Sequence, residues 1–148
     1  MDGLASIRQN TGLRGRLDLL RTDPIVIADV AHNPDGTRTL TRALNTLGVG
    51  GYVTVFGVMR DKNYSAMIDA LAPFSRLAIG VRPEGGRALE TGTIAEGFHS
   101  AGCRAVLGGT VREGFDLALR ERREAEPILV TGSHYVVGEL LKSLNFDV

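Results

Sequence analysis

The stretch Pro24-Ile25-Val26-Ile27-Ala28-Asp29-Val30-Ala31-His32-Asn33-Pro34 reads as a strand that turns directly into a helix. Ile25 to Ala28 form a continuous apolar run with β-branched residues, as expected of a strand buried on both faces within a parallel sheet. Asn33 and Pro34 then offer an N-cap and a first-turn proline, a position where the missing N–H is not needed. Leu40, Ala43, Leu44 and Leu47 recur at i, i+3, i+4 and i+7, and Gly48 supplies the stop. One strand–turn–helix unit is therefore legible, with its polar residues collected at the turn.

The same alternation continues along the chain. Further apolar runs stand at Tyr52-Val53-Thr54-Val55-Phe56, Leu77-Ala78-Ile79, Ala105-Val106-Leu107 and Ile128-Leu129-Val130. Between them, Tyr64, Met67, Ile68 and Leu71 carry a helical period. Thr93 with Glu96 and Thr110 with Glu113 fit the capping-box pattern, in which hydroxyl and carboxylate satisfy backbone donors at a helix start. Val111, Phe115, Ala118 and Leu119 build one helical face, the run from Arg120 to Glu126 reads as a solvated end, and Val137, Leu140, Leu141 and Leu144 define a last helix. Gly108-Gly109 and Glu84-Gly85-Gly86 read as turns. Residues 1–23 are polar, Gly- and Arg-rich, and read as a connecting segment with pairing potential only near Leu17-Asp18-Leu19-Leu20. Strand and helix alternating about five times predict a doubly wound α/β sheet with right-handed crossovers.

Composition bounds the function. The 148 residues suit one domain, and 43% hydrophobic with 23% charged residues is a globular balance rather than a disordered one. Seventeen basic residues against seventeen acidic ones give no general electrostatic reason to bind nucleic acid or an anionic membrane. No apolar run approaches the roughly 20 residues of a membrane span. Cys103 is the single cysteine, so neither an internal disulfide nor a Cys-rich zinc site is available. Met1 to Ala5 show no secretory apolar segment, and a cytoplasmic location is the expectation.

Doubly wound sheets bind ligands beyond the carboxyl ends of their strands, so the residues that follow each run matter most. Asp29, His32 and Asn33 follow the first. A reactive cluster and a plain helix cap with nearby backbone hydrogen bonds both fit them. The second run leads into Gly57-Val58-Met59-Arg60-Asp61-Lys62-Asn63, which also fits a solvated loop. The last leads into Thr131-Gly132-Ser133-His134-Tyr135, where a glycine permits close backbone approach and a helix start with a serine fits either a small anion or an ordinary cap. His99 reads as structural or exposed. Neither Lys62 nor Lys142 follows a glycine, so the sequence carries no P-loop, and Asp29 to Asn33 stand where a dinucleotide-binding glycine motif would lie.

Gly15-Arg16-Leu17-Asp18, Asp29-Val30-Ala31-His32-Asn33-Pro34, Asp61-Lys62-Asn63 and Val130-Thr131-Gly132-Ser133 with Val137-Gly138-Glu139, in this order, resemble the C-terminal domain of the folylpolyglutamate synthase/dihydrofolate synthase family, within the Mur ligases. The resemblance runs from about Gly12 to Leu144. It implies a Rossmann-like α/β domain, a mostly parallel sheet of about five or six strands with helices on both faces. It also implies work beside an N-terminal P-loop ATPase domain: ATP with Mg2+ phosphorylates a folate or dihydropteroate carboxylate, and the amine of L-glutamate attacks the acyl phosphate. On this resemblance Arg16 and Asp29 contact ATP, His32 and Asn33 lie beside the reacting groups, and Ser133 and Lys62 hold glutamate, with no metal ligand in this chain.

Two departures stand out. Val30 takes the place of a glycine common in the D-G-A-H-N-P motif, and Asn63 that of the second aspartate of D-K-D. Residues 1–14 would then be a linker or the tail of the missing ATPase domain, residues 15–148 the glutamate ligase domain, and the chain alone an excised, inactive part. Two alternatives are a non-catalytic binding or interaction module of the same fold, and the equivalent domain of a Mur-type peptidoglycan ligase. The A-H-N-P motif favours the folate branch.

Overall fold

The computed structural model describes residues 17–145. Strand β1 (Asp18–Thr22) pairs antiparallel with β2 (Ile25–Asp29) across a cis Asp23–Pro24 peptide bond. Helix α1 (Pro34–Leu47) leads to β3 (Tyr52–Phe56), then α2 (Tyr64–Leu71), a 3-10 turn (Ala72–Phe74), β4 (Ser75–Val81), α3 (Thr91–Ser100) and β5 (Arg104–Gly109). Helix α4 (Val111–Glu121), β6 (Ile128–Thr131) and α5 (His134–Ser143) complete the described chain. The six strands lie in the order β1-β2-β6-β3-β4-β5, and all pairs except β1·β2 are parallel. The α/β doubly wound expectation is met.

Period-two alternation divides the strands between two apolar layers. Ile27, Phe56 and Leu129 pack with Leu40 and Leu44 of α1, Met67 and Leu71 of α2 and Phe98 of α3. Their neighbours Val26, Val55 and Val130 point the other way, onto Val111 and Phe115 of α4 and Val137 and Leu140 of α5. Three helices thus cover one face and two the other, which is why the central runs are apolar at nearly every position, the buried Thr54 sharing a hydrogen bond with Ser75 Oγ.

Four sequence readings need correction. Asp18–Thr22, read as part of a connecting segment, is an edge strand whose Leu19 and Leu20 are both buried; Asp18 and Arg21 masked its period. The pairing potential seen near Leu17 to Leu20 is real. Helix α3 starts at Thr91 rather than at a Thr93 cap, and Glu90 at its N-cap makes no side-chain capping bond. Burial of Ile94 and Phe98 sets where this helix lies, so packing overrides the capping signature. Gly108-Gly109 is the end of β5, not a free turn. A Cβ on Gly108 would stand 2.5 Å from Ile79 Cγ2 and 3.0 Å from Gly114 Cα, so the two glycines let α4 lie close against the sheet. By contrast the Thr110–Glu113 capping box is present as read, as are the Asn33 cap and the Gly48 stop of α1.

The fourth correction concerns the run to Glu126. Arg76 at the start of β4 grips Glu126 with two bonds, Nε–Oε2 at 2.6 Å and Nη2–Oε1 at 2.9 Å, and also donates to the Glu121 carbonyl at 3.0 Å. The side chains are only 20% and 10% exposed, so the run is tied to the sheet at Glu126, while Arg120, Glu121, Arg123, Glu124 and Ala125 are exposed as read. Burial opposes the Glu126 charge, but the Arg76 hydrogen bonds and the Arg123 N–H outweigh it and hold the carboxyl below the usual range. The bond to Glu126 likewise holds the Arg76 guanidinium above its ordinary value.

Candidate active site

Because β6 inserts between β2 and β3, the residues following all three strands meet at one end of the sheet. Thr131 Oγ1 donates to the Asp29 carbonyl at 2.7 Å, and the Gly57 N–H donates to the Thr131 carbonyl at 3.3 Å. Gly132, at φ 118°, then passes so close to β3 that a Cβ would stand 2.0 Å from the Gly57 carbonyl oxygen. Only a glycine fits there, and it brings the start of α5 beside the turn after β2.

That turn is organised by its own polar side chains. Asp29 accepts from the Ala31 N–H through Oδ1 at 2.8 Å and from the Leu17 N–H through Oδ2 at 3.0 Å. Asn33 Oδ1 accepts from the Gly36 N–H at 2.7 Å and caps α1, while Ser133 Oγ accepts from the Val136 N–H at 3.1 Å and caps α5. Both capping readings therefore hold. Capping uses the Asn33 carbonyl oxygen and a lone pair of Ser133, which leaves the Asn33 amide NH2 and the Ser133 hydroxyl proton for other partners. Ser133 is buried, Asn33 exposed.

His32 is fixed by a 3.2 Å contact between Nδ1 and the Val30 carbonyl. A carbonyl only accepts, so Nδ1 is the donor in this contact, and in the neutral ring that leaves the lone pair on Nε2. The His32 ring lies 5.0 Å, centroid to centroid, from that of His134, tilted by 44°.

The third wall is the loop after β3. Met59 bridges to Ala88, the Arg60 N–H donates to the Arg87 carbonyl at 2.8 Å, and the Leu89 N–H donates to the Val58 carbonyl at 2.8 Å, clasping this loop to the one after β4. Asn63, in the position where the family pattern has aspartate, caps α2 by accepting from the Ala66 N–H at 3.3 Å. Arg87 pairs loosely with Asp61 at 3.4 Å.

His32, Lys62 and Ser133 are brought together around one cavity of about 160 Å³, where Arg87, His134 and Tyr135 join them. Asp29 and Asn33 instead line an adjoining depression of about 350 Å³, which His32 also borders. Arg16 and the segment 1–14 lie outside the described residues. Sequence reasoning did not single out Arg87, His134 or Tyr135 as site residues. His134 and Tyr135 adjoin Ser133, and Arg87 adjoins a turn read only as a turn. Among the described residues no three His, Cys, Asp or Glu side chains are grouped to hold a metal ion, and no helix is long and apolar enough to cross a membrane.

Residues 15–134 match the family model of the Mur ligase glutamate ligase domain. The chain belongs to the Mur ligase family. This glutamate ligase domain is 32% identical over 130 residues to the folylpolyglutamate synthase of Lacticaseibacillus casei, a match covering 87% of this chain and 29% of that protein. It superposes on the Mycobacterium tuberculosis folylpolyglutamate synthase complexed with ADP at a TM-score of 0.83, with 25% identity, covering 90% of this chain and 32% of the other. A bifunctional folylpolyglutamate synthase/dihydrofolate synthase of Yersinia pestis, solved with Mn, AMPPNP and L-glutamate bound, gives a TM-score of 0.79 at 26% identity, covering 90% and 32%. The chain thus spans about a third of the length of these relatives. The resemblance to the C-terminal domain of this ligase branch, read from four motifs, is borne out.

Proposed function

We propose that this domain supplies the glutamate-side wall of an ATP-dependent ligase that joins L-glutamate to a folate or dihydropteroate carboxylate. The observation that carries the reading is the meeting of His32, Lys62 and Ser133 around one small cavity at the ends of β2, β3 and β6. In the reaction the folate carboxylate attacks the γ-phosphorus of ATP and ADP departs; the glutamate amine then attacks the acyl carbon and phosphate leaves. Lys62 and the Ser133 hydroxyl proton are suited to carboxylates of the amino acid, a charge-assisted contact and a neutral one. The His32 imidazole and the Asn33 amide stand on the side where the acyl phosphate would be presented.

The nucleotide would reach this domain at Arg16 and at the Asp29 turn. Both Asp29 oxygens already accept backbone N–H groups, so Asp29 acts there chiefly by shaping the turn. The described residues hold no cluster for the divalent cation. Residues 15–148 form the ligase domain in this reading and residues 1–14 its link to a P-loop domain that grips the triphosphate, all in the cytoplasm. Positioning the triphosphate is most of phosphoryl-transfer catalysis, so these 148 residues alone turn over no substrate.

The experiment is an amide NMR titration of the 148-residue chain with L-glutamate. Shifts should concentrate at Lys62, Ser133 and His134, and Lys62→Ala should abolish them. Shifts confined to the opposite end of the sheet, around Arg76 and Glu126, would overturn the assignment. ATP-dependent glutamate transfer, assayed with a P-loop partner domain supplied, then tests the reaction.

A further inference from the structure

An amino acid in neutral water carries an ammonium group with no lone pair, so a ligase that uses its nitrogen as nucleophile must remove a proton from it. Lys62 and Arg87 arrive as cations, Ser133 and Tyr135 as neutral hydroxyls, and among the described residues no carboxylate lines the cavity. The nearby acids are engaged: Asp29 accepts two backbone N–H groups and Asp61 pairs with Arg87. The lining groups suited to take up a proton near neutral pH are two imidazoles, His32 and His134.

We propose that His32 is the proton acceptor for the incoming amine and that His134 is the positioning residue that holds its ring in place. The inference rests on the ligase reading above. The Val30 carbonyl fixes the proton on Nδ1, which leaves the Nε2 lone pair of His32 directed away from that anchor. One hydrogen bond still lets an imidazole swing about its own axis, and the His134 ring, 5.0 Å away, packs against it from the first turn of α5. In the step itself an N–H bond of the ammonium breaks, its electron pair stays on nitrogen and becomes the new C–N bond, and the proton is held on His32 Nε2. The acyl carbon–oxygen bond to phosphate breaks as the amide forms, and the second proton that the nitrogen loses leaves on the departing phosphate as hydrogen phosphate. His134 lies on the exposed side of the pair, so the proton has a route to water once product leaves.

The test uses hydroxylamine, an amine nucleophile that is mostly uncharged at neutral pH and needs no proton acceptor before it attacks. In the ligase containing this domain, His32→Ala should lower glutamate transfer by about 10²-fold more than it lowers ATP-dependent hydroxamate formation. His134→Leu should lower the ratio of glutamate transfer to hydroxamate formation, and His134→Phe, which restores a ring, should recover it. An equal loss of both products in His32→Ala places His32 in the phosphorylation step and overturns the proposal. An unchanged ratio in His134→Leu removes His134 from it. Absence of any hydroxamate from the wild-type enzyme overturns the ligase reading, and the proton transfer falls with it. On the 148-residue chain itself, imidazole 15N spectra at mildly alkaline pH should show His32 protonated at Nδ1; a protonated Nε2 refutes the proposed acceptor directly.

Discussion

The Gly57 carbonyl oxygen occupies the space that a side chain on Gly132 would need, with an ideal Cβ only 2.0 Å away. Gly132→Ala should therefore destabilise the domain by about 2 kcal/mol or more, through both overlap with backbone and a φ of 118°. Urea denaturation with the midpoint lowered at constant m would show it. A neutral outcome would mean that β3 and β6 separate freely at the site.

Tyr52 is completely buried, yet its hydroxyl has no hydrogen-bond partner among the described residues. Tyr52→Phe should stabilise the fold by about 1 kcal/mol, because the unmet desolvation of the hydroxyl is removed. Burial also pushes this phenol up from its ordinary 10.0 to about 12. The folded chain then keeps a proton that the unfolded chain releases, so stability is intact below pH 10 and drains as pH rises toward 12. Alkaline denaturation of the phenylalanine variant should lack this component.

The cap that Asn33 provides for α1 is separable from the role proposed for its amide at the site. Asn33→Ala removes the cap of α1 and should cost about 1 kcal/mol. Asn33→Asp keeps an oxygen for the Gly36 N–H and should melt close to wild type, yet lose ligase turnover because the NH2 donor is gone. Equal turnover in Asn33→Asp and wild type would leave the residue with capping alone.

These residues also show where sequence reading reaches its limit. The A-H-N-P turn was legible because one asparagine both ends a strand connection and starts a helix, a local arrangement that needs no knowledge of the sheet. The central strands were legible for a similar reason, since burial on both faces leaves an uninterrupted apolar run. Arg87 was not, because it enters the cavity through pairing of two loops distant in sequence, the Met59–Ala88 bridge and its neighbours. His134 was quoted with its neighbours, but its relation to His32 depends on β6 lying beside β2, and strand order is not written in periodicity. Glu126 looked solvated because its partner Arg76 stands 50 residues away.

The Arg76–Glu126 pair makes a prediction for acid. Its folded-state carboxyl is held below the usual range, so its contribution is complete above the ordinary carboxylate pKa and is lost as pH falls through the lowered one. Glu126→Gln should flatten that part of the stability curve. Arg76→Ala should cost about 3 kcal/mol at neutral pH, since it strands a mostly buried carboxylate. Paired melts from pH 7 to pH 3 would read both.

The order β1-β2-β6-β3-β4-β5 has a consequence for how the domain is made. The strand at the middle of the sheet is the last of the six to leave the ribosome. Until Ile128 to Thr131 emerge, β2 and β3 have no neighbour on their facing sides, and a nascent chain carries two bare apolar edges with a slot between them. Ser133 and His134 follow that strand directly, so insertion of the final strand and assembly of the cavity are a single event. A chain interrupted before residue 128 is therefore a sheet missing its centre rather than a shorter version of the domain, and it would present the chaperones with adhesive edges where the site should be.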